Sequence, residues 1–174
     1  MDIVSHGLWG SLAFGRKNRR SFLLAFLFGV APDLLAFGPF FVLTFLGIEQ
    51  RPRFAEPPDP SIFPPFVHQT YQFSHSLIVF AALFGVLWLL LRRPVWEFSA
   101  WGLHILFDIP THSNRFFPTP FLWPVSNFHV NGHSWATREI FIPNVILLVV
   151  LYAWFFARRY WTRRSTAGGS RPAG

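Results

Sequence analysis

The stretch His104-Ile-Leu-Phe-Asp-Ile-Pro-Thr-His-Ser113 (HILFDIPTHS) sets a histidine, a carboxylate and a second histidine inside an apolar run. Polar groups in such a run are costly to bury, so their presence asks for a reason. His104 and Asp108 are four residues apart. On a helix they share one face, a turn from each other. An i, i+4 histidine–carboxylate pair can present two ligands to one divalent ion. Pro110 disfavours helical geometry at Ile109, so the helix is expected to stop or kink there. His112 then falls on the following turn, folded back toward the same end.

The surrounding composition is that of an integral membrane protein. The 174 residues suit one domain. They are 52% hydrophobic and 20% aromatic, with a mean hydropathy of +0.35. Only 13% are charged, against about 25% in soluble domains. The net charge of +7 comes from a single Lys and many Arg, clustered beside apolar runs. That is a topology signal rather than a nucleic-acid surface, and no nucleic-acid partner is expected. The absence of cysteine removes disulfides, thiolate metal sites and a Cys nucleophile.

Four apolar runs are candidates for membrane segments: residues 21–48, interrupted by Pro32-Asp33 and Pro39, then 73–91, 95–109 and 140–157. Residues 1–15 form a fifth, weaker candidate. The basic stretch 16–20 followed by the run 21–31 mimics a signal peptide. Pro32 follows the only plausible cleavage point and the apolar run resumes, so an uncleaved segment is expected. If the N-terminus lies outside, residues 16–20, 92–94 and 158–174 lie inside and hold eleven of the fifteen basic residues. The expected fold is therefore an all-α polytopic membrane helix bundle of about five helices, N-out and C-in. Its domain covers residues 1–164, with 165–174 as a disordered tail. The outer segments 49–72 and 110–139 are expected to be Pro-rich loops, because Glu56-Pro-Pro-Asp-Pro60 and Phe63-Pro-Pro65 resist regular helix. Phe117-Pro-Thr-Pro-Phe-Leu-Trp-Pro124 suits an interfacial loop packed over the bundle.

This topology brings polar residues to matching depth. Asp108 lies near the outer end of its helix. Asp33 lies midway to deep in its own segment, where Pro32 frees backbone. His75 opens a descending helix between Ser74 and Ser76, either of which can cap it. His6 lies in the N-terminal segment. His6, Asp33, His75, His104, Asp108 and His112 are thus the candidate metal ligands, since several ionisable groups at one depth of a membrane domain mark a functional site. The bland readings are a structural hydrogen bond for His104 and Asp108, a cap for Asp33 at Pro32, and surface positions for His68, His129 and His133. Phe80, Phe84 and Trp88 read as packing or lipid contact.

The ordered motifs His6, Pro32-Asp33, Ser74-His75-Ser76, His104-Ile-Leu-Phe-Asp108 and Leu122-Trp123-Pro124 resemble the YdjM-like family of inner-membrane metal-dependent hydrolases. The resemblance runs from about residue 3 to residue 155 and is distantly similar to zinc-dependent phospholipase C and the single-strand nucleases. Two departures stand out. Leu35 occupies the second acid of a Pro-Asp-x-Asp motif, and Thr70-Tyr71 stand where a His-Arg pair is frequent. Both argue against a second metal.

The resemblance implies a divalent cofactor, Zn first with Mn, Ni or Fe as alternatives, and metal-assisted hydrolysis at the outer membrane face. His75, His104 and Asp108 would be the ligands. Asp33 would be a further ligand or the general base, and His6, Asp33 and His112 would complete one site or begin a second. Headgroup depth points to a phosphoester or lipid-linked substrate in the bilayer, with Arg115 and Arg138 holding phosphate. Two other classes fit the same residues: a transporter or proton relay, and a non-catalytic protein whose metal staples its helices.

Overall fold

The computed structural model describes residues 1–49 and 60–168, with side chains to residue 161. All regular structure among the described residues is helical, as the sequence led us to expect. Helix α1 spans Ile3–Phe14, α2 Arg19–Phe45, α3 Pro65–Ser74, α4 Leu77–Leu91, α5 Ser99–Thr111 and α6 Arg138–Gly168. The expected tail thus begins as the last turn of α6. Residues 169–174 lie outside the described residues, as do 50–59 with their Pro-rich stretch, Arg51 and Arg53.

Local chemistry sets the helix ends. Asp2 caps α1 by accepting from the Ser5 N–H at 2.9 Å. Asn18 caps α2 by accepting from the Ser21 N–H. The Ser76 hydroxyl caps α4, accepting from Ile78 and Val79. Ser76 is therefore the cap, and Ser74 is not.

The number of membrane-crossing helices differs from the expected five. Two helices are long and apolar enough, Arg19–Phe45 and Arg138–Trp161. There are three if α3 and α4, bent by 60° at their junction, count as one broken span. With 12 and 13 residues, α1 and α5 reach only about 18–20 Å, short of a hydrocarbon core of about 30 Å. Both instead pack on α2 inside the bundle. Large side chains such as Leu27, Leu89, Leu90 and Val149 stay exposed on the longer helices, where acyl chains would cover them.

Three local expectations are corrected. Pro32 and Pro39 do not interrupt α2, which runs through both for 27 residues. Each proline leaves only one carbonyl a turn earlier without its usual donor. Residues 65–74 form α3 rather than loop, because Pro65 sits in the first turn, where its missing N–H costs nothing. Pro110 does not end α5 at Ile109; the helix closes at Thr111 with His112 as its C-cap. The carbonyls of Pro110, Thr111 and His112 are taken up by N–H groups of His133, Trp135 and Gly132 from the outer loop.

Two aromatic cores flank the centre of the bundle. One joins Ala36 and Phe40 of α2 to Val67 and Tyr71 of α3, with Phe63 and Phe117. The other joins Phe98, Trp101 and Ile105 to Phe28, Leu77 and Phe80. The segment 117–124 lies over the α3–α4 junction as expected: Phe121 accepts from the Leu77 N–H, and Trp123 accepts from the Ser76 hydroxyl.

Candidate metal centre

Asp33, His75, His104 and Asp108 converge from α2, the α3–α4 junction and α5. One ligand atom from each lies within 4.8 Å of all the others. His75, His104 and Asp108 are fully buried, while the Asp33 side chain is 14% exposed. The Nε2 atoms of His75 and His104 are 3.1 Å apart. Asp108 Oδ2 lies 3.1 Å from His104 Nε2 and 3.6 Å from His75 Nε2. Asp33 Oδ1 lies 3.4 Å from His75 Nε2, nearer than Asp108 does, and 3.8 Å from His104 Nε2.

The hydrogen bonds behind these atoms fix what they are. His104 Nδ1 lies 2.7 Å from the Gly29 carbonyl. A carbonyl only accepts, so Nδ1 carries a proton, and in the neutral ring Nε2 then presents a lone pair. His75 Nδ1 likewise faces the Tyr71 carbonyl at 3.2 Å and the Ser74 hydroxyl at 3.0 Å. The centre is therefore lined by two bare imidazole nitrogens and two carboxylate oxygens. Asp108 Oδ2 is buried with no hydrogen-bond partner. Electron-pair donors packed this closely without protons between them repel, and a buried unpaired carboxylate oxygen is expensive. A cation resolves both. A tetrahedral ion with ligands about 2.0–2.1 Å away sets its donors about 3.3–3.4 Å apart, inside the spread seen here. The donor set of N and O atoms fits a divalent metal, and each histidine bonded through Nδ1 to a main-chain carbonyl is the usual support for a metal-bound imidazole.

The remaining two candidates lie on the other oxygen of Asp108. His6 Nε2 is 2.9 Å from Oδ1, and its ring stacks on His104 at 3.6 Å. His112 Nε2 is 3.5 Å from Oδ1. The Met1 nitrogen also contacts Oδ1 and lies 3.3 Å from His112 Nε2 and from Thr111 Oγ1. His112 Nδ1 is oriented by the Phe117 carbonyl at 2.9 Å, which also accepts from the Tyr71 hydroxyl at 2.8 Å. Phe117 adopts φ 44°, an uncommon left-handed conformation for a bulky residue, and this aims its carbonyl at both donors.

The arrangement brings together all six candidate ligands, four in the donor set and two behind Asp108. His68 stays apart, stacked on Phe117 and bonded to the Pro60 carbonyl. His129 and His133 are exposed, and so are Arg115 and Arg138. Sequence reasoning missed the supporting groups. Tyr71 carried one usable signal, since it precedes His75 by one helical turn and the two rings stack at 3.8 Å. The Gly29 and Phe117 carbonyls carried none, because a main-chain acceptor leaves no mark on residue type. No protein-family model, curated protein or solved structure matches the chain.

Proposed function

We propose that this protein is a membrane-bound metal-dependent hydrolase acting on a phosphoester or lipid-linked substrate at the membrane face opposite its basic clusters. The carrying observation is the set of four nitrogen and oxygen donor atoms around one point, three of them wholly buried and the fourth, Asp33, in contact with the surroundings. The order of motifs shared with the YdjM-like family supports the same reading.

In this reading His75, His104 and Asp108 are the ligands, Zn being the first candidate ion. When bound, the ion polarises the scissile group and lowers the pKa of water toward neutrality. Asp33 stands on the remaining side, nearer His75 than His104, and is the one member of the four with solvent-exposed side-chain surface. Its carboxylate orients the attacking water and takes its proton. Asp33 is followed on α2 by the exposed Leu34 and Leu35, so an amphiphile approaches from the bilayer side of that helix. Arg115, three residues beyond His112, and Arg138, at the start of α6, take the phosphate.

The chain direction supports N-out, C-in placement. The start of α1 is at the metal centre, and its last residues reach the start of α2, where Ser21 meets the Phe14 carbonyl. Ser21 also bonds Glu97, just past Arg92-Arg93. The basic clusters thus gather at the end away from the site, as cytoplasmic ends do.

The test is metal content and turnover of the purified protein and of Asp33→Asn, on panels of phosphomonoesters, phosphodiesters and lipid-linked phosphates. We expect chelator-sensitive hydrolysis in the wild type, with Asp33→Asn keeping its metal and losing turnover. A metal that leaves with Asp33→Asn, together with no turnover and an apo protein that unfolds, assigns the centre to a structural staple instead.

A further inference from the structure

At the end of the bundle away from the metal centre, α6 and α2 part. Asn144 bonds Trp9 and Ser5, and Tyr152 bonds the Leu8 carbonyl at 2.9 Å, so α6 is held mainly to α1. Tyr152 touches Phe22 edge-on at 6.3 Å. Past that contact a cavity of about 420 Å³ opens between the two helices. Asn18, Arg19 and Phe22 line it from α2, and Phe155, Phe156 and Arg159 from α6. No carboxylate among the described residues lines it. The Arg159 guanidinium lies over the Phe155 ring at 5.5 Å, which keeps the charge beside the cavity.

The geometry points to a binding site for the headgroup of an anionic phospholipid, with its phosphate between Arg19 and Arg159 and its upper chain against Phe22, Phe155 and Phe156. Three observations carry this. The cavity lies between the two helices that are long and apolar enough to cross a membrane, at the ends where headgroups would stand. It combines two cations from different helices with an aromatic wall, which matches a ligand charged at one end and apolar at the other. Its volume falls within the range of small-ligand sites. Lys17, Arg20, Arg92 and Arg93 add a general positive field at the same end, but they do not line the cavity.

The full-length protein in nanodiscs of phosphatidylcholine, with and without phosphatidylglycerol, tests the assignment by native mass spectrometry of retained lipid. Phosphatidylglycerol is expected to be retained in preference to phosphatidylcholine. Arg19→Gln and Arg159→Gln are each expected to weaken that retention about five-fold. Arg20→Gln, with the same charge change at the same end, leaves it unchanged. Equal weakening by Arg20→Gln would reduce the effect to diffuse surface charge and overturn the site. So would equal retention of the two lipids, or displacement of phosphatidylglycerol by inorganic phosphate. Melting curves in phosphatidylcholine alone establish that each variant is folded. If Arg19→Gln unfolds, Arg159→Gln on the exposed end of α6 decides the matter.

Discussion

His75 and His104 face one another with their Nε2 atoms 3.1 Å apart, and each has its Nδ1 proton directed at a main-chain carbonyl. A neutral ring cannot supply a proton to the contact without giving up the bond behind it. Between two neutral rings the contact calls for a cation, at a place where Asp33 and Asp108 add two more oxygens. The rings are oriented by the backbone carbonyls of Gly29 and Tyr71, which belong to the folded helices, so the site is organised before any ion binds.

The first expectation follows directly. The purified protein should carry one divalent ion, read by elemental analysis, and His75→Ala or His104→Ala should remove it. Metal binding should also appear as stability, because an ion that binds only the folded state adds about 2.7 kcal/mol at a hundred times its dissociation constant. Chelation should lower the unfolding temperature of the wild type and leave His104→Ala unmoved. A wild type without metal at any loading, unfolding at the same temperature as His104→Ala, removes the centre.

His6 is expected to act through Asp108 rather than on the ion. Its Nε2 reaches Oδ1, while the ligand oxygen is Oδ2. His6→Phe keeps the ring stacked on His104 and deletes the donor. It should weaken metal affinity by about 10–100-fold while leaving one ion per chain at saturation, as loss of an orienting partner does. If saturating metal no longer reaches one per chain, His6 is itself a ligand.

Much of this was visible in the sequence, and the reason is local. The i, i+4 spacing of His104 and Asp108 is a property of any helix, so their shared face could be read from two letters. Basic clusters beside apolar runs likewise indicated a membrane protein whatever the packing. What could not be read was length. Residues 1–15 look like a weak span and 95–109 like a short one, but α1 and α5 stop after about three turns and pack on α2, which places His6 and Asp108 in the interior. Pro32, Pro39 and Pro110 looked like breaks, yet helix packing and the returning outer loop hold the helices through them. The carbonyls that set each histidine tautomer belong to the fold alone.

Glu97 is expected to give the other end of the bundle a pH dependence. Its slight burial raises the carboxyl pKa, but the hydrogen bond from Ser21 at 2.6 Å, with Lys17 and Arg93 nearby, outweighs this and holds it below the ordinary value of 4.5. A depressed carboxylate contributes stability that is complete above the unfolded-state pKa and disappears as pH falls through the folded one. The group is partly exposed, so solvent screens the contact and the contribution is small. Glu97→Gln should therefore flatten the acid limb of the wild-type unfolding curve slightly and differ less from wild type at the lowest pH. Parallel curves across the whole acid range would show that the contact with Ser21 adds nothing.

Gly29 should be a sensitive position although it has no side chain. A Cβ there would stand 2.6 Å from the His6 carbonyl and 3.1 Å from the Gly7 Cα, both backbone atoms that cannot swing away. Gly29→Ala must then push α1 from α2, at a cost of about 1–3 kcal/mol. The same shift moves His6 away from Asp108 and the Gly29 carbonyl away from His104 Nδ1, so metal affinity should fall along with stability. Gly38 is the control, because a Cβ there meets nothing within 4 Å. Gly38→Ala on the same helix should leave metal affinity unchanged. If Gly29→Ala lowers the unfolding temperature but binds metal as tightly as wild type, the α1–α2 approach serves packing alone and the Gly29 carbonyl does not set the His104 tautomer.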